Sequence, residues 1–439
     1  MNTNAIMEPT SERLAIEGGS PVRTTPLPLE FPGVHHMGDE EIDAATAVLR
    51  SRSPFRYYGV ELRGEVENFE IEFACFIGVP YALAVSSGSG ALQTALSALG
   101  VGPGQEVILP SYMWVAVVGA VVNLGAIPVL AEVDASFTLE PQDVERKITP
   151  RTSGIIAVHM NGAAADAPAL VKIARSRGLF LLEDCAQAVG ASIGGKKVGS
   201  FGDMAIFSFQ MNKNMTSGEG GAVVTGDLRL YRRALASQDN GYARDEKGRL
   251  ILDDMSLCLW GRGCRMDEMR GAILRAQLAK LPAIVRRMHD SKHRIRQELE
   301  KLKGLELRKL MDPDGDSGPF LLTIYPNAKT AAAVCDALRS EGIVTYPQGC
   351  SNLLVSNFGM HVYYNIPSLV NRTSVDGRGF PWSLVENAAS QTNYAKGACP
   401  VSDSLFERSI VLSIPSCLTE QDEQDIIRAF RKVMARYGV

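Results

Sequence analysis

The chain has 439 residues, 46% of them hydrophobic and 21% charged, with a formal net charge of −4. That length predicts two domains with sizeable cores, and the composition is that of a globular chain, not a disordered one. With its basic residues scattered, the chain offers no electrostatic footprint for nucleic acid or an anionic membrane.

The opening MNTNAIMEPTSERLAIEGGSP lacks a basic region followed by an apolar run. No secretory signal is expected, and the cytoplasm is the expected compartment. The eight cysteines lie far apart without a C-x-x-C pair, so neither a metal site nor a disulfide framework is expected.

Residues 1–30 read as an extended arm in which Gly18, Gly19, Pro21, Pro26 and Pro28 break any helix. An amphipathic helix opens at Gly38-Asp39-Glu40-Glu41 and runs to Leu49. Residues 51–64 (SRSPFRYYGVELRG) set three aromatics among Arg, Ser and Gly with no period. Such a loop either frames a substrate pocket or packs structurally.

A helix over 65–77 leads to a strand over 81–85, then Ser86-Ser87-Gly88-Ser89-Gly90, then an apolar-periodic helix over 91–99. Strand, small-residue turn and helix present free N–H groups and a helix N-terminus to a phosphate. As a dinucleotide fingerprint the stretch fails, because Gly88-x-Gly90 is not completed at Gln93. A turn and strand over 102–110 follow, and Ser111-Tyr112-Met113-Trp114 opens the next helix. Trp114 either stacks on a planar ring or packs in the core. The apolar run 114–130 is interrupted by Asn123 and Gly125 and followed by Glu132, which suits a buried helix entering a strand better than a membrane span. Strands over 127–130 and 154–158 continue an alternating β/α pattern to about residue 225. That pattern predicts an α/β fold with a mostly parallel sheet covered on both faces and ligands at the carboxyl ends of its strands.

The chemistry concentrates in 180–225. A strand over 179–182 ends in Glu183-Asp184, and a strand over 204–209 delivers Lys213 just before Ser217-Gly218-Glu219-Gly220-Gly221. An acid and a lysine at neighbouring strand ends suit a pyridinium aldehyde. The amine condenses with it as a Schiff base, and a carboxylate that keeps the ring nitrogen protonated makes the ring an electron sink. Lys213 is the candidate for the first role and Asp184 for the second.

Beyond Asp227, a helix over 228–237 precedes a polar, turn-rich segment 238–257, expected to be mobile near the site. A long helix over 267–299 is expected to break near Pro282. A strand over 321–325, a helix over 330–341, a strand over 344–346, an irregular piece over 350–400 and a helix over 419–437 describe a smaller α/β domain closing over the first. The divisions expected are an arm (1–30), a large domain (31–285) and a small domain (286–439).

In order, LAIEGGSPVRTTPLP, VSSGSGALQTAL, GPGQEVILPSYMWVA, EDCAQAVGA, GSFGDMAIFSFQMNKNMTSGEGGAVVT, GRGCRMDEMRGAILRAQL and GACPV carry a resemblance over nearly the whole chain. The chain resembles the pyridoxal-phosphate-dependent aminotransferases of keto sugars and keto cyclitols, the DegT/DnrJ/StrS family of fold type I. The resemblance implies that Lys213 carries the cofactor and shuttles the proton, and that Asp184 holds the pyridine nitrogen. It also implies that Gln187 bonds the ring's 3-oxygen, Trp114 stacks on the ring, and Gly88, Ser89 and Ser208 hold the phosphate. It implies a homodimer with active sites at the interface, L-glutamate or L-glutamine as donor, and a ketone on a cyclitol or sugar as acceptor. Two positions depart from the family. Gly263 stands where an asparagine commonly reaches the partner's phosphate, leaving Arg262 or another donor to replace it, and Gln210 stands where many members carry histidine. Gln210 and the Tyr/Asn-rich insertion after His361 resemble the cyclitol-acting branch. A lyase or aromatising synthase on the same fold, and a non-catalytic cofactor-binding regulator, are the other classes; retained Lys213 argues against a dehydratase, and the absence of a DNA-binding segment argues against a regulator.

Overall fold

The computed structural model describes residues 12–245, 248–345, 351–374 and 377–438. Its main sheet has seven strands, in the order Tyr81–Val85, Gly221–Thr225, Met204–Ser208, Phe180–Asp184, Thr152–Val158, Glu106–Pro110 and Ile127–Ala131. Only Gly221–Thr225 runs antiparallel to its neighbours. Its central strands are almost wholly buried apolar runs, as a sheet with both faces covered requires. One core lies between this sheet and the helices Gly88–Ala98 and Val115–Asn123, another between its opposite face and the helices Glu65–Ile77 and Glu268–Leu299. Helix Val115–Asn123 running into strand Ile127–Ala131 accounts for the apolar run. Among the described residues no helix is long and apolar enough to cross a membrane.

The register aligns the site. Gly221 pairs with Val85 on one side and Ser208 on the other, and Ile206 pairs with Asp184. The turn after Val85, the end of Met204–Ser208 and Asp184 therefore meet at one edge of the sheet. Helix Gly88–Ala98 begins three residues earlier than periodicity predicts, because the Ser87 hydroxyl accepts the Gly90 N–H at 3.0 Å and caps it.

A second, antiparallel sheet is ordered Glu306–Leu307, Phe320–Ile324, Ser409–Ser413, Leu353–Leu354. Helices Ala328–Ser340 and Glu420–Tyr437 pack against it, and Leu14 and Leu27 of the arm enter that core. The strand expected over 344–346 reduces to a bridge between Thr345 and Leu27, with Tyr346 outside the described residues.

The break expected near Pro282 is absent: Glu268–Leu299 is one helix through the proline. Proline costs a helix about 3 kcal/mol in lost hydrogen bonding and sterics. Leu274, Leu278, Leu281, Ile284 and Met288 lie at helical spacing and are all buried, and Leu274 to Leu281 and the later Ile295 belong to different cores. Burial on both sides of Pro282 outweighs its local cost. The division expected at 285/286 falls within this helix.

Candidate active site

Gly88, Ser89, Trp114, Asp184, Gln187, Ser208 and Lys213 all line one cavity of about 380 Å³ at the carboxyl edge of the main sheet. Two glycines allow the close approach. A Cβ on Gly88 would lie 2.7 Å from the Ser208 Cβ, and one on Gly221 would lie 2.5 Å from the Ser87 carbonyl oxygen. The helix N-terminus at Gly88 and Ser89 therefore sits directly against Ser208, with N–H groups that the helix itself cannot satisfy.

Asp184 is 4% exposed, and burial pushes its carboxyl above the usual range. The Ala186 N–H, which Oδ1 accepts at 2.9 Å, opposes this, as do Lys213 and His159. Among the described residues that N–H is the sole hydrogen-bond donor to the carboxylate. Such a group gains from a cationic N–H beside it. Below it, His159 accepts the Ala165 N–H at Nδ1 (3.0 Å), so its Nε2–H donates to Glu183 (3.0 Å). Glu183 also accepts from Gly199, Phe201 and Gly202. Burial opposes its charge, but His159 and these N–H groups hold its carboxyl below the usual range. His159, Glu183 and Cys185 have metal-like spacing, yet the His159 and Glu183 lone pairs serve the chain's own donors.

Trp114 is 42% exposed, which removes the core-packing alternative. Its ring lies 4.8 Å from that of His361, which stacks on Phe358 at 4.2 Å. His361 Nδ1–H donates to the Phe358 carbonyl (3.0 Å), leaving Nε2 to accept from the Gln187 amide (3.2 Å). The Gln187 Oε1 accepts from the Asn161 backbone N–H at 3.2 Å. Burial, with Lys213 nearby, lowers the His361 pKa to about 4, so the imidazole is neutral. Sequence reasoning missed His361, Asn161 and His159 as site residues; a lone His in an aperiodic stretch gave no signal of where it would fold.

Of the irregular segments 51–64, 238–257 and 350–400, the last brings His361 to the cavity; Cys350 lies outside the described residues. Residues 51–64 and 238–257 instead meet each other. The Gln238 amide donates to the Tyr57 hydroxyl at 2.8 Å, and Arg244 sits 4.1 Å over the Tyr57 ring. Arg262 does not reach toward the cavity, because its guanidinium bonds Gln93 (3.1 Å) and Ser97 (3.3 Å) on helix Gly88–Ala98.

The model of the DegT/DnrJ/EryC1/StrS aminotransferase family matches residues 35–353. The chain belongs to this family of aminotransferases. The L-glutamine:2-deoxy-scyllo-inosose aminotransferase of Streptoalloteichus tenebrarius is 34% identical over 438 residues, 97% of this chain and 98% of that one. The 3-amino-5-hydroxybenzoate synthase of Amycolatopsis mediterranei is 40% identical over 255 residues, 57% of this chain and 63% of the relative. Among solved structures, a 3-amino-5-hydroxybenzoic acid synthase superposes with a TM-score of 0.73 at 30% identity, covering 91% of this chain and 97% of that one. S. venezuelae DesV superposes at 0.71 and 30% identity, covering 91% and 95%. The DegT/DnrJ/EryC1/StrS family is pyridoxal-phosphate-dependent, and the residues here fit that group. A buried carboxylate short of donors, a lysine, a half-exposed indole and the helix N-terminus at Gly88 and Ser89 share one cavity.

Proposed function

We propose that this aminotransferase moves an amino group from L-glutamate or L-glutamine to a ketone of a cyclitol or sugar, using pyridoxal 5'-phosphate. The observation that carries the reading is the convergence of Lys213, Asp184, Trp114 and the Gly88 helix N-terminus on one cavity. The full-length likeness to a scyllo-inosose aminotransferase supports the acceptor class.

When bound, pyridoxal phosphate supplies a sink for the electrons left at the donor's α-carbon. Asp184 would keep a proton on the ring nitrogen, and Gln187 would bond the 3-oxygen. Trp114 would cover a ring face and exclude water from it. Gly88 and Ser89 N–H groups and the Ser208 hydroxyl would hold the phosphate. Lys213 Nζ would hold the cofactor at rest and take the donor's α-proton. The reading includes a cytoplasmic homodimer whose active sites lie at its interface. Tyr58 (72% exposed), Val60 (75%) and Trp260 (96%) give the monomer apolar surface that a second copy would cover. It divides the chain into the arm 1–30, a cofactor-binding domain 31–285 and a small domain 286–439.

The test is the absorbance of the purified holoenzyme before and after L-glutamine or L-glutamate, with Lys213→Ala alongside. The cofactor band is expected to move to shorter wavelength in the parent protein, while Lys213→Ala folds and shows no half-reaction. Turnover in that variant overturns the role of Lys213. The likeness to 3-amino-5-hydroxybenzoate synthases favours one second reading, an aromatising lyase. It gains if cofactor binds but no amino donor shifts its band.

A further inference from the structure

Beyond the lysine lies a second, smaller cavity of about 60 Å³, room for a terminal carboxamide or about two waters. It shares Ala186, Gln187, Asn212, Lys213 and His361 with the main cavity, so the two adjoin at those side chains. Its far wall includes Glu30, which the N-terminal arm supplies. Glu30 is 8% exposed and its Oε2 is withdrawn from bulk water.

The arm is fixed where it delivers this carboxylate. The Gly33 N–H donates to the Lys213 carbonyl at 3.1 Å, and the Ser416 hydroxyl donates to the Pro32 carbonyl at 2.9 Å. Gly33 permits the approach, since a Cβ there would lie 3.0 Å from the Met215 Cα. The backbone two and three residues after Glu30 is thus tied, at Pro32 to Ser416 and at Gly33 to the lysine's own carbonyl.

We infer that Glu30 selects the amino donor, accepting the side-chain carboxamide N–H of L-glutamine and repelling the side-chain carboxylate of L-glutamate. This rests on the aminotransferase reading above. Three acids, Glu30, Asp184 and Glu219, line the joined cavities, and Lys213 is the sole Lys or Arg among the described residues that do so. Asn212 and Asn214 line the same small cavity and add neutral amides to it, the Asn214 amide also donating to the Val189 carbonyl at 2.9 Å. A second carboxylate placed there meets like charge out of water, while a carboxamide meets an acceptor. Glu30 is a positioning residue for the donor's far end and takes no part in proton transfer.

The experiment measures apparent donor Kd and limiting rate for the half-reaction of each donor, by rapid-mixing absorbance on full-length holoenzyme. It compares wild type, Glu30→Gln and Glu30→Asp. Wild type is expected to favour L-glutamine by about tenfold or more in the ratio of rate to Kd. Glu30→Gln is expected to bring the two donors within about threefold, through a lower Kd for L-glutamate at an unchanged limiting rate. Glu30→Asp, which keeps the charge, retains the preference. If Glu30→Gln does not fold, Glu30→Ser removes the same charge and gives the same test. A wild-type preference for L-glutamate, or a ratio unaltered when the charge is removed, overturns the inference and leaves the aminotransferase reading standing. No band shift with either donor overturns both.

Discussion

Asp184 holds a carboxylate where water cannot solvate it, a cost that the proposed ring N–H beside it would offset. Burial raises its pKa, so its charged form destabilises the fold as pH rises through that raised value. Asp184→Asn is therefore expected to melt higher than the parent at neutral pH without cofactor, and to lose the donor half-reaction by about a thousandfold or more. A lower melting point would show that the carboxylate serves the fold. His361 works with the opposite sense of pH. Its folded pKa of about 4 lies below the ordinary 6.5, so the unfolded chain takes up the proton first as pH falls. Its part of the acid loss begins near 6.5 and is complete near 4, and His361→Gln is expected to flatten melting temperature against pH in that window. At this scale the sequence spoke through order: Asp184 ends one strand, Lys213 lies five residues beyond the end of another, and those two strands are neighbours in the sheet, so topology brings them together. Glu30 and His361 arrive from an arm and an insertion without period, and only tertiary packing places them.

Among the elements, the sheet strands and most helices were legible because burial and periodicity coincide, as in Glu65–Ile77 and Tyr81–Val85. The misreadings share a cause. At Pro282 a local rule was given precedence over side chains buried on both sides. At Gly88 the apolar period began later than the cap, so the helix began in its glycines. Pro282 is exposed, and Pro282→Ala is expected to stabilise the protein by about 1 to 3 kcal/mol, read as a higher denaturant midpoint at unchanged slope. Gly88→Ala tests the other direction. Alanine favours a helix by about 1 kcal/mol over glycine. The 2.7 Å approach to Ser208 wins, because that neighbour is a side chain rooted in a buried strand. The variant is expected to release pyridoxal phosphate more readily, measured by dialysis and absorbance.

For the whole molecule, the proposed dimer bears on Gly263. It adopts φ +64° with no heavy atom within 4 Å of an added Cβ, a left-handed position that asparagine tolerates better than most residues. Gly263→Asn is expected to fold normally and to tighten cofactor binding in the dimer, and unchanged affinity would mean that the partner's phosphate lies out of its reach. The segments 51–64, 238–257 and 350–400 could not be placed from sequence, because each is aperiodic and their meeting depends on contacts across most of the chain. One of those contacts bears on how such enzymes diversify. The Met113 N–H donates to the His361 carbonyl at 2.8 Å, and Tyr112 bridges Val362, so the insertion is stitched to the backbone that presents Trp114. The insertion is consequently no interchangeable cassette. Recombination or laboratory grafting that imports a relative's 351–400 without its matching 111–114 would tilt the indole, and new acceptor preferences should be inherited as a linked pair of segments.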